Sequence, residues 1–254
     1  MTGRLDADVA VVTGGAAGIG RATAGRLAVE GARVAVADVD ETGAERVARA
    51  IVDAGGTACA IPLDVTDEAA VEAAFARIAA ELGDVRVLVA CAGGARTDDR
   101  PIDELTAAAF DATVARDLRG TALCAGAAVR SMRAGDRGGA IVTFASYHAL
   151  GGDSGGHAYV AAKGGVIALT RALAARYGTE GIRANVIAPG VVLTDRVRAR
   201  IAEDDVDLDA VRQRHPFAVA GPEAMAEVAL FLASPEARTI TGCTVVADGG
   251  LSLY

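Results

Sequence analysis

Tyr159 and Lys163 stand four residues apart, so on a helix they share a face one turn from each other. A phenol ionises near pH ~10 and is a poor proton shuttle at neutral pH. A neighbouring ammonium favours the phenolate and makes it a usable acid or base. Ser146 lies 13 residues before the tyrosine, directly after the apolar run Ala140-Ile-Val-Thr-Phe-Ala145. That run reads as a buried strand, which sets the serine hydroxyl at a strand end facing the same pocket. Such a set can give a proton to a carbonyl oxygen or take one from an alcohol. Alone the pair is weak, since a tyrosine beside a solvated lysine occurs by chance on many helices.

The elements around it supply the context. Asp8-Val-Ala-Val-Val-Thr13 is a short apolar strand that runs into Gly14-Gly15-Ala16-Ala17-Gly18-Ile19-Gly20, and helical periodicity follows from Arg21 to Glu30. Strand, glycine turn and helix in that order describe a phosphate cradle. Glycines let the backbone approach a pyrophosphate, and a helix N-terminus offers free N–H groups with a partial positive charge. A second strand, Arg33–Asp38, ends in an acid 18 residues after Gly20. A carboxylate there suits ribose hydroxyls and repels a 2′-phosphate.

The alternation continues through helices at about 41–54 and 68–82 and strands at 57–63 and 85–90. A long small-residue helix, about Leu105–Met132, precedes the Ser146 strand. The Tyr159 helix runs to about Tyr177, and a strand Arg183–Ala188 follows. After a helix at Pro222–Leu232, a last strand covers Thr244–Ala247. This order predicts one α/β domain over 1–254, a Rossmann-type doubly wound parallel sheet of about seven strands with helices on both faces. Asp38, Asp64, Gly93, Ser146 and Pro189 fall at strand C-terminal ends, where such a sheet has its ligand crevice. Between 194 and 220 the pattern breaks into a charge-rich stretch. Most of it reads as a solvated helical excursion, placed to act as a substrate lid.

Composition narrows the classes. Apolar residues make up 52% and charged residues 23%, which excludes a disordered chain. A net charge of −8 gives no footprint for nucleic acid or an anionic membrane. No apolar run approaches the roughly 18 residues of a membrane span, and no signal-peptide core precedes the first strand. The four cysteines are far apart among small neighbours, as buried thiols of a cytoplasmic protein would be, and no metal site is read.

The chain resembles the classical short-chain dehydrogenases/reductases over nearly its whole length. The matching pieces are Thr13-Gly-Gly-Ala-Ala-Gly-Ile-Gly20, Asp64-Val65, Ala92-Gly93, Ser146 with Tyr159 and Lys163, Pro189-Gly190 with Thr194, and Val246-Ala-Asp-Gly-Gly250. The resemblance implies an oxidoreductase that interconverts a secondary alcohol and a carbonyl by hydride transfer. It implies Tyr159 as the acid/base, Lys163 making that phenol more acidic and holding the nicotinamide ribose, and Ser146 orienting the substrate oxygen. The implied cofactor contacts are Gly14, Ala17, Gly18, Ile19 and Gly20 at the turn, and Asp38 with Val39 at the ribose. Asp64 and Val65 would lie at adenine, with Ala92, Gly93, Pro189, Gly190, Val192 and Thr194 toward the nicotinamide. Asp38 favours NAD over NADP. A homotetramer is the implied assembly, which the Ala- and Gly-rich long helices suit.

Two departures stand out. The family has Asn-Asn-Ala-Gly where this chain has Ala90-Cys91-Ala92-Gly93, and a Val-Asn-Leu-x-Gly pattern where it has Arg116-Asp117-Leu118-Arg119-Gly120. That asparagine helps hold the proton relay behind the lysine. Asp117 is nearly isosteric but adds a negative charge unless Arg116, Lys163 or protonation compensates, so a retained but retuned relay is expected. The altered position raises a catalytically silent nucleotide-binding fold as the alternative, against the intact Ser/Tyr/Lys set. Lyase or epimerase chemistry on a nucleotide sugar fits the chain length and glycine spacing less well. Candidate substrate contacts beside Ser146 and Tyr159 are Gly94, Arg96 and His148. Their polarity favours a hydroxylated substrate over a steroid.

Overall fold

The computed structural model describes residues 3–95, 97–152, 156–203 and 207–253. Seven strands form one parallel sheet: β1 (Val9–Thr13), β2 (Arg33–Asp38), β3 (Thr57–Pro62), β4 (Val85–Ala90), β5 (Gly139–Phe144), β6 (Ile182–Pro189) and β7 (Thr244–Ala247). Their order is β3-β2-β1-β4-β5-β6-β7, so the winding reverses between β1 and β4. Apolar runs rich in β-branched residues, without polar alternation, form strands covered on both faces. In β1 all five residues are buried, with Val9 and Val11 in one core and Ala10 and Val12 in the other. Each valine, leucine or isoleucine withdrawn from water in this way contributes about 1.5–3 kcal/mol.

The helices are α1 (Gly18–Val29), α2 (Glu41–Asp53), α3 (Glu68–Glu81), α4 (Ala107–Val114), α5 (Gly120–Ala134), α6 (His148–Gly151), α7 (His157–Tyr177), α8 (Asp195–Glu203), α9 (Leu208–Gln213) and α10 (Pro222–Ala233). Leu27 of α1, Val47 and Ile51 of α2, and Leu230 of α10 cover one face of the sheet. Val71 and Phe75 of α3, Met132 of α5 and Ala174 of α7 cover the other. Asp40, Asp67, Thr106 and Asp207 cap α2, α3, α4 and α9 through their side chains. Ala17, at the start of α1, offers no such cap. The N–H groups of that first turn therefore face the cleft without a side-chain acceptor.

Three expectations are corrected. The long helix expected from Leu105 to Met132 is not uniformly α-helical, because a π-helical turn (Ala115–Arg119) joins α4 to α5. The widened turn carries Asp117 inward to full burial, a position that a 3.6-residue period does not foresee. Helix α1 begins at Gly18, three residues before Arg21, because glycines form its first turn; a β-carbon on Gly20 would run into the Gly14 carbonyl. Finally, the helical stretch His157–Glu180 has the length and mean hydropathy, 1.2, to cross a membrane. It packs on β6 and the π turn instead, with Lys163 buried in an ion pair.

The C-terminus of α10 is closed by Arg183 from β6. Its guanidinium donates to the carbonyls of Leu232 at 2.8 Å and Ser234 at 3.0 Å, with Ala233 and Ile240 slightly farther. Burial pulls the Arg183 pKa below the usual value, so the charge is held against desolvation by these four oxygens. Arg183→Met should lower stability by about 2 kcal/mol, read as a lower denaturant midpoint with an unchanged slope. A variant as stable as the parent would show that water satisfies those carbonyls equally well.

Candidate active site

The reversal between β1 and β4 opens a cleft of about 810 Å³ across the C-terminal ends of the strands. Every cofactor position expected from the sequence lines it, from Gly14 through Gly20 to Thr194. Gly14 and Gly18 take φ of +67° and +52°, values that side chains rarely adopt, and the turn so formed leaves the α1 N-terminus open. Asp38 is fixed at the end of β2, accepting from the N–H of Ala16 and of Asp40 at 3.0 Å each. Its oxygens retain lone pairs for further donors. Asp64 accepts from the Thr66 N–H and hydroxyl, which hold its pKa below the usual carboxylate value.

Ser146, Tyr159 and Lys163 line the same cleft. The Lys163 ammonium is buried, 5.5 Å from the centre of the Tyr159 ring, and donates to the Phe144 carbonyl at 3.0 Å. Behind it lies Asp117. One carboxylate oxygen faces Lys163 Nζ at 3.2 Å and accepts from the Gly94 N–H at 2.8 Å. The other accepts from Arg116 Nε at 3.1 Å and Nη2 at 2.7 Å. Arg116 also donates to the Gly94 carbonyl. Gly93 must lack a side chain, since a β-carbon would strike the Asp117 carboxylate.

The direction of Tyr159 depends on where α7 begins. Gly156 precedes it without a side chain, and the cap comes instead from Asp99. Its two carboxylate oxygens accept from the N–H groups of Ala158 at 3.0 Å and Tyr159 at 2.8 Å. A carboxylate at that terminus also meets the positive end of the helix dipole. No local sequence signal joins residues 60 apart, so Asp99 escapes a reading by motif.

Gly94 lines the cleft, as expected. His148 does not line it: it sits on α6, its ring 3.9 Å from that of Tyr147. Arg96 lies outside the described residues. Cys91, standing where the family has asparagine, lines the cleft, and burial pushes its thiol up to about 12 against the opposing pull of Lys163 and Arg196. Arg119 and Arg196 also line the cleft and were not foreseen. Arg196 belongs to the charge-rich 194–220 stretch, most of which reads from sequence as solvated.

These features fit a nicotinamide dinucleotide: an uncapped helix terminus with backbone close approach for its diphosphate, a carboxylate for a ribose, and an acid/base set at the other side. Comparison with known proteins agrees. A family model described as enoyl-(acyl carrier protein) reductase matches residues 14–252. The cis-4-hydroxycyclohexanecarboxylate dehydrogenase of Sinomonas cyclohexanicum is 45% identical over 95% of each chain. The D-threitol dehydrogenase of Mycolicibacterium smegmatis is 41% identical over 98% of this chain and 95% of that one. The crystal structure of gox2181 matches with a TM-score of 0.93 at 34% identity, covering 99% of this chain and 98% of the other. The chain belongs to the short-chain dehydrogenase/reductase family. It is an oxidoreductase of CH–OH groups that works with a nicotinamide cofactor.

The ion cluster behind Lys163 sets a stability test. Arg116→Met leaves the buried Asp117 carboxylate without two of its donors, and should cost about 2 kcal/mol, read as a fall in Tm. The double variant Arg116→Met/Asp117→Asn removes the charge that needs them and should regain most of the loss. A double variant no more stable than Arg116→Met would show that Arg116 stabilises by packing alone.

Proposed function

We propose that this enzyme is an NAD-dependent dehydrogenase of hydroxylated small molecules, with Tyr159 as acid/base, Lys163 and Ser146 as its catalytic partners and Asp117 as the support behind the lysine. The convergence of Tyr159, buried Lys163 and Ser146 on the cleft that also holds the glycine turn carries this reading. A nicotinamide cofactor held by the glycine turn and Asp38 would supply the hydride chemistry that interconverts the carbinol and the carbonyl. The Ser146 hydroxyl orients the substrate oxygen. The Tyr159 phenolate accepts the hydroxyl proton in oxidation, and the phenol returns it in reduction.

Lys163 sets a cation 5.5 Å from the centre of the Tyr159 ring, where it attracts negative charge developing on the phenol oxygen. Asp117 would cancel much of this influence if it faced the lysine alone. Arg116 supplies a second cation to the carboxylate, so the cluster of Arg116, Asp117 and Lys163 keeps a net charge of about +1 beside Tyr159. This supports a working relay over a catalytically silent fold.

NAD is favoured because Asp38 ends β2 at the cleft, where a carboxylate meets ribose hydroxyls and repels a 2′-phosphate. The named relatives act on a hydroxycyclohexane acid and on a tetritol, and both substrates carry polar groups beyond the reacting hydroxyl. That agrees with a hydroxylated substrate here, held under the 194–220 excursion acting as a lid. A cytoplasmic homotetramer completes the proposal; a monomeric mass by light scattering would overturn that assembly.

NAD should raise the Tm more than NADP does. Asp38→Ala should shift the NADP/NAD ratio of kcat/KM upward by about tenfold or more; an unmoved ratio would remove Asp38 from cofactor choice. Oxidation of a polyol and hydroxycyclohexane panel should fall by about 10²–10⁴-fold in Tyr159→Phe. NAD binding with no turnover across the panel would favour the silent fold. Turnover of large apolar ketones alone would end the hydroxylated-substrate reading.

A further inference from the structure

The charged residues lining the cleft divide sharply by whether they already have partners. Asp38 and Asp64 accept from backbone or hydroxyl donors, and Asp195 pairs with Arg21 at 3.2 Å. Lys163 and Arg116 share Asp117, while Arg119 donates to the Thr66 carbonyl at 3.1 Å. Arg196 is the remaining cation. Among the described residues it makes no hydrogen bond and no ion pair, although the chain carries an excess of acids.

Its placement is set by the backbone around it. The Thr194 hydroxyl accepts from the Val197 N–H at 3.2 Å and starts α8, and the Thr194 methyl lies against Gly18 of the glycine turn. The Arg21–Asp195 pair ties the same turn of α8 to α1. Arg196 is thereby turned over Gly94, whose missing β-carbon leaves the space the guanidinium fills. Arg198 and Arg200, farther along α8, do not line the cleft. Gly94 donates to Asp117 behind Lys163, and the Arg196 charge acts on the Cys91 thiol. Arg196 therefore stands at the side of the cleft that holds the acid/base set.

We propose that Arg196 is the anchor for an anionic group of the substrate, a carboxylate carried on the same molecule as the reacting hydroxyl. The inference rests on the dehydrogenase reading and narrows its substrate class to hydroxy acids. A guanidinium presents a rigid fork of donors that matches a carboxylate with two parallel hydrogen bonds, and a neutral alcohol leaves that fork unpaired. The second source of anionic oxygens in this cleft is the cofactor diphosphate, and the experiment separates the two.

The test uses matched pairs with NAD: 4-hydroxycyclohexanecarboxylate and its methyl ester, threonate and threitol, gluconate and sorbitol. In the parent enzyme the acid of at least one pair should have the higher kcat/KM. In Arg196→Gln the acid-to-neutral ratio should drop by about tenfold to a hundredfold, mainly through KM. Arg196→Lys should recover part of it. Preference for the neutral partner in every pair, or a ratio unmoved by Arg196→Gln, would overturn the proposal. So would a loss of NAD affinity in Arg196→Gln with the ratio unchanged, which would assign the guanidinium to the diphosphate. Thermal shift of the NAD complex isolates the anion site from the chemistry. Stabilisation by the acids that disappears in Arg196→Gln supports the anchor even if no member of the panel is turned over, an outcome that would count against the dehydrogenase reading alone.

Discussion

The buried carboxylate of Asp117 is the point at which four separate segments meet. It holds the Gly94 N–H after β4, the Arg116 guanidinium from its own π turn, and the Lys163 ammonium from α7. Through Lys163 it also reaches the Phe144 carbonyl at the end of β5. A charge taken wholly out of water persists only where donors surround it. Here the requirement locks the loop after β4, the widened helix turn and the Tyr159 helix into one arrangement. The widened turn, Gly93 without a side chain and the nearby Arg116 together accommodate that carboxylate.

This cluster accommodates a carboxylate where the family has asparagine. A carboxylate alone beside Lys163 would draw the ammonium's field away from the phenol. Arg116 meets the added charge at the next residue and also contacts the Gly94 carbonyl, so one position supplies acceptors and its neighbour supplies donors. Cys91 is a different kind of departure. Its backbone N–H donates to the Thr13 hydroxyl, and its thiol is held neutral by burial, so it alters the lining of the cleft without adding a charge.

The two sides of the cleft are held in place in different ways. The strand ends are anchored in the two apolar cores, and α7 is capped by Asp99. The excursion between β6 and α10 is built differently. Its ends are pinned by the bridge between Val192 and Ala220, and the Phe217 N–H donates to the Gly249 carbonyl after β7. Charge density there reads as solvation in a linear sequence. In three dimensions α8 sends Asp195 to Arg21 and Arg196 into the cleft, giving neighbouring charges opposite uses.

The sequence by itself determined the parallel sheet, the glycine turn, the acid ending β2 and the Ser146, Tyr159 and Lys163 set. Each of these is local: runs of β-branched residues, glycines ahead of a helix, and a four-residue spacing carry their meaning within a few positions. Tertiary structure decided what depends on contact between distant segments. Asp99 caps α7 from 60 residues upstream, and Arg116 donates to the buried Asp117 carboxylate. His148 lies against the Tyr147 ring, and Arg196 alone of its charged stretch carries an unpaired cation into the cleft among the described residues. The physical reason is common to all four: a side chain's partners, and hence the state and use of its charge, are set by what the fold packs against it, which periodicity and spacing do not encode.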